Sequence, residues 1–179
     1  MKDKTIPTAD LESNLEMCQR IAADMASVRT LLTNSAAEFP ALAASADLSN
    51  DATQNQLSKL QTIVTVAPKR LEALQQELFA AKGALLDTAQ SFIQIHFAPR
   101  CNTLKARALE NVERKLQHLF PDQDALRAAA YGTKELSHIG LIQQRAVINL
   151  FNPEEAMPYA KELLESWRAA DEFEQRELS

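Results

Sequence analysis

The chain has 179 residues, a mass of 19.9 kDa and a formal net charge of −5, a length that suits one domain with a substantial core. Ala (29) and Leu (24) dominate its apolar residues, Ile and Val together number 13, and there are 3 Gly. That composition excludes a β-rich fold or a nucleotide-binding α/β fold, which need β-branched strands and glycine turns, and predicts an all-α protein.

Prolines punctuate the chain, and between them apolar residues recur at helical spacing. A first helix is expected from about residue 9 to 38, capped by Thr8 or Asp10, with Leu11, Leu15, Cys18, Ala22, Met25, Val28 and Leu32 on one face. The stretch from Pro40 to Asn50 breaks that period and reads as a loop. The next segment is the most regular. Leu57, Leu60, Val64, Ala67, Leu71, Leu74, Leu78, Ala81, Leu85, Thr88, Phe92 and Ile95 alternate steps of three and four, the heptad pattern of a coiled-coil seam. Pro68 lies inside this run without shifting its phase. The pattern therefore predicts a long kinked helix over about 52–97.

Shorter helices are expected after Pro99. One spans about 102–120, and another starts at Asp122 and ends at Gly132. Thr133 is read as the cap of the next, which buries Leu136, Ile139, Ile142, Val147 and Leu150. Asn152-Pro153-Glu154-Glu155 is a helix-start signal, with one short turn before a final helix over about 158–176. In that helix Ala160, Leu163, Leu164, Trp167, Ala170 and Phe173 face inward. The fold expected is an elongated all-α bundle in a single domain, residues 1–179, with its long helix packed on the N-terminal one. A sub-boundary near 98–101 would separate a helical hairpin (1–97) from the shorter helices (102–179).

Charge is unevenly spread. Residues 1–97 sum to −3, residues 98–153 to +3 and residues 154–179 to −5, so the basic middle and acidic end face either each other or a partner. Arg100, Arg107 and Arg114 recur every seven residues, with Asn111 and His118 extending the row. Glu110 lies within it, so an Arg107–Glu110–Arg114 ladder on a solvated helix accounts for these residues better than a nucleic-acid surface does. The acidic run Asp171–Glu177 reads as a solvated helix end.

No constellation of residues assembles a recognisable chemistry. Glu135-Leu-Ser-His138 is an E-x-x-H, but di-metal bundles use two such motifs and further carboxylates. His96 and Cys101 are close in sequence and lack an orienting third group. Three isolated glycines cannot cradle a phosphate. Cys18 and Cys101 form no disulfide framework and read as buried, reduced thiols. Lacking an apolar leader or an uninterrupted apolar span, the chain is expected in the cytoplasm and off the membrane. The function expected is a non-enzymatic helical interaction or assembly module that needs no cofactor. It would bind a protein partner or a second copy through Leu57, Leu60 and Val64. The competing expectation is a bundle enclosing a small ligand or metal.

Overall fold

The structure is a computed structural model and describes residues 7–45, 50–120, 122–145 and 152–178. Among these every regular element is helical. They are α1 (Ala9–Ser45), α2 (Asp51–Phe92), a π-helical turn (Ile93–Phe97), α3 (Ala98–Leu116), α4 (Gln123–Tyr131), α5 (Lys134–Arg145), a 3-10 turn (Pro153–Glu155) and α6 (Ala156–Glu177). The protein is thus all-α, with a long helical segment packed on the N-terminal helix and shorter helices after it. Two compact units divide it. One is Glu16–Lys82, and the other joins Met1–Leu15 to Gly83–Ser179.

Within Glu16–Lys82, α1 and α2 form a hairpin. The first helix does not stop at Glu38: it runs through Pro40 to Ser45. The expected loop is overturned there because Ala41, Leu42, Ala43 and Ala44 are strong helix formers that offset one proline. Ser45 then donates its hydroxyl to the Ala41 carbonyl at 3.1 Å and towards the orphan Leu42 carbonyl at 3.4 Å. Residues 46–49 of the expected loop lie outside the described residues. The side chain of Asn50 caps α2, accepting from the Ala52 N–H at 2.9 Å. Pro68 sits inside α2 without ending it. Leu60, Ala67 and Leu74 are buried at intervals of seven, facing a row from α1 in which Cys18 and Met25 are buried at the same interval.

In the other unit the helical segment continues across Pro99, where the sequence reading placed a break. The change of geometry comes earlier, in the π turn, where the Ala98 N–H reaches the Ile93 carbonyl. Five residues of α-helix rotate a side chain by about 140°, so Phe92 and Phe97 would diverge. The wider turn absorbs about one residue and brings both phenyl rings to one side. There they meet Trp167, with centroids at 5.1 and 6.4 Å. The same phase shift turns Ile95 outward, 65% exposed, although the heptad reading put it on the buried face.

Beyond the π turn, Cys101, Leu104, Ala108 and Val112 form the buried stripe of α3, which packs on α4, α5 and α6. Asp122 caps α4 as expected, accepting from the Ala125 N–H at 3.0 Å. Gly132 ends that helix with φ −79°, a conformation open to any residue. Thr133 does not cap α5 through its side chain. Its hydroxyl donates back to the Ala130 carbonyl at 2.7 Å. Leu136, Ile139 and Ile142 are buried as expected, while Val147 and Leu150 lie outside the described residues. Asn152 caps the 3-10 turn, accepting from the Glu154 N–H, and α6 buries Leu163, Leu164, Ala170 and Phe173. No helix among the described residues is long and apolar enough to cross a membrane.

Candidate functional site

The hairpin's seam decides which side chains it can offer outward. Two helices bury one stripe each, so residues off the stripe stay in water. Of the three residues expected at an interface, Leu60 is buried inside its own chain, and Leu57 and Val64 are half-buried. Among the described residues, the large apolar side chains that the hairpin leaves exposed are Met17, Leu31, Val66 and Phe79, at 43, 49, 54 and 64%. Sequence reasoning passed over them because each is out of phase with the heptads. A signal was present, though: Leu31-Leu32 and Ile63-Val64-Thr65-Val66 carry more apolar surface than one helix face can bury. Gln56 Nε2 donates to Glu38 Oε1 at 2.9 Å across the hairpin.

The basic row and the acidic end, by contrast, meet inside one unit. Arg100 pairs with Asp171 and with Glu174, the latter at 3.1 Å, and Arg107 pairs with Glu174. Arg107 also donates to the Leu178 carbonyl at 3.2 Å, placing a cation at the end of α6. The Arg107–Glu110–Arg114 ladder is therefore only half present, since Glu110 meets Arg114 at 3.1 Å while Arg107 reaches across to α6. The acidic end is correspondingly a partner of α3 rather than a free solvated terminus. Trp167 is half-buried instead of enclosed, because its ring is the platform for the Arg100 guanidinium, 4.4 Å from the centroid. The two guanidinium groups hold Glu174 below the usual carboxylate range, chiefly through the hydrogen bond from Arg100 and then that from Arg107.

The remaining candidates stand apart from one another. His138 is exposed and stacks on Phe173 at 5.8 Å, beside the half-buried Glu135. Both line an open cleft with Lys134, Arg176 and Glu177. Among the described residues no three His, Cys, Asp or Glu side chains converge as metal ligands would. His96 is exposed near Phe92, whereas Cys101 is buried and its thiol is pushed up to about 11 by desolvation. Burial raises the Cys18 thiol as well. A thiol in that state is a poor nucleophile. Alkylation by iodoacetamide at pH 8, followed by mass spectrometry, is expected to leave both cysteines largely unmodified in the folded protein and to label both in denaturant. Rapid labelling of the native protein would contradict the burial.

No protein-family model, no curated protein and no solved structure matches this chain. What the fold defines is a class: an all-helical protein with a two-helix hairpin in one compact unit and the shorter helices α3 to α6 in the other.

Proposed function

We propose that this protein is a non-enzymatic helical interaction module that engages a protein partner through the hairpin of α1 and α2. The observation that carries the reading is the exposure of Leu31 and Val66, about half of each side chain, on a unit with a thin core. Exposed apolar side chains mark contact sites when polar residues rim them. The hairpin meets that condition, with Asp24, Glu38, Lys59 and Arg70 all exposed on it. The expected interface residues Leu57 and Val64 lie on nearly the opposite side of α2, since Val64 and Val66 are about 200° apart around the helix.

Photo-crosslinking tests this. A crosslinkable residue at position 31 or 66 is expected to yield protein adducts in cells. The same residue at Tyr131 or Leu141, which are similarly exposed but lie on α4 and α5, is not. Adducts confined to 131 and 141, or none at 31 and 66, would overturn the reading.

A further inference from the structure

We infer that α2 has a built-in joint at Gly83, a turn at which this helix opens and bends while the turns on either side stay closed. The inference goes beyond the interaction reading and does not depend on it. Gly83 lies inside α2, where glycine is the least favourable residue after proline. A helical glycine has two common structural reasons: a neighbour fills the space a Cβ would need, or the backbone takes a conformation that other residues avoid. Neither applies. A Cβ at Gly83 would meet nothing within 4 Å, and no described glycine has a positive φ. What glycine changes here is the backbone alone, since it leaves a helical turn more freely than a residue with a side chain.

Its position gives that freedom a place to act. One compact unit ends at Lys82 and the other resumes at Gly83, so the glycine stands at the boundary itself. Leu74 and Leu85 are fully buried anchors of α2, one in each unit. From Ala80 to Ala84 the helix reads Ala-Ala-Lys-Gly-Ala, with no large apolar side chain to hold the turn closed. Local opening is easiest where few apolar contacts are lost, and this stretch of α2 has the fewest to lose.

Two other positions show that a helix breaker alone does not make a joint. Pro68 lies well inside Glu16–Lys82, beside buried Ala67, and α2 runs through it. Gly140 on α5 also has open space where a Cβ would sit. It lies within the second unit, however, and buried Ile139 and Ile142 hold its turn on both sides.

Two measurements on the full chain test the joint. In hydrogen exchange read by NMR, the amides of residues 83–87 have helical hydrogen bonds that span or end at Gly83. They are expected to exchange at least about tenfold faster than those of 74–78 and 89–92, with almost no dependence on low urea, the mark of a local opening. Gly83→Ala is expected to slow them about fivefold, the helix-propensity difference expressed as an equilibrium constant. The amides of 140–144 are expected to keep pace with the rest of α5. The bend itself is read by spin labels on Gln76→Cys and Gln90→Cys, both exposed and about 21 Å apart along a straight helix. The native cysteines are buried and are expected to stay unlabelled. The distance distribution is expected to be broad with Gly83 and to narrow with Gly83→Ala. Exchange at 83–87 that matches its flanks in rate and urea dependence would overturn the joint, as would rates or distance widths indifferent to Gly83→Ala. Equal local opening around Gly140 would show that glycine alone suffices and would overturn the part played by the boundary.

Discussion

Phe97→Ala is expected to lower the unfolding free energy by about 3–5 kcal/mol, the cost of deleting a buried phenyl ring and leaving a cavity. Phe97 is 1% exposed and sits at the end of the π turn, against Trp167. The expected loss lies at the upper end because the ring does two things. It fills the space between the helical segment and α6, and it gives the wide turn its reason to exist. Without it, Ile93–Phe97 has no buried side chain of its own. Ile95→Ala makes the control: it lies two residues away in the same turn, is mostly in water and is expected to change stability by less than about 0.5 kcal/mol. Urea unfolding followed by circular dichroism measures both. Equal losses in the two variants would mean that the turn is held by its backbone rather than by the phenyl ring.

The π turn also marks where the sequence stops being legible. Local signals read correctly: Asp122 and Asn152 cap their helices through neighbours two or three residues away, and no distant contact is needed to see it. The heptad row from Leu60 through Ala67 to Leu74 was equally plain, since a repeated interval survives any uncertainty about helix ends. The step of five from Phe92 to Phe97 belongs to neither helical nor strand periodicity, and Pro99 in the sequence reads as the end of the helix. Pro99 lies two residues beyond the π turn, in the first turn of α3, where a proline is tolerated. Pairing over long separations was the other gap. Regional charge sums indicated that the basic middle and acidic end would face something, but Arg100 and Glu174 are 74 residues apart, and only the fold brings them together. At the hairpin, heptads identified what is buried, and what is buried could not by itself identify the surface left over.

Arg100→Ala is expected to cost about 2 kcal/mol, more than an ordinary surface arginine. Exposed ion pairs are worth about 0.2–1 kcal/mol each, and a partly desolvated cation–π contact adds about 1 kcal/mol. Arg100 combines both: it is 21% exposed, lies over Trp167 and meets Asp171 and Glu174. Trp167→Leu keeps the apolar contact and removes the ring face. Its coupling to Arg100→Ala in a double-mutant cycle isolates the aromatic share from the carboxylate share. The carboxylate share carries a pH signature. Folding lowers the pKa of Glu174, so its contribution is fully present above the ordinary carboxylate range and is lost as pH falls through the lowered value. Wild-type stability is therefore expected to fall more steeply than that of Glu174→Gln between pH 5 and about 3, while the difference between them stays constant from pH 6 to 8. Parallel acid profiles would show that Arg100 and Arg107 gain nothing from Glu174's charge, leaving the ring contact with Trp167 to hold α6 against α3.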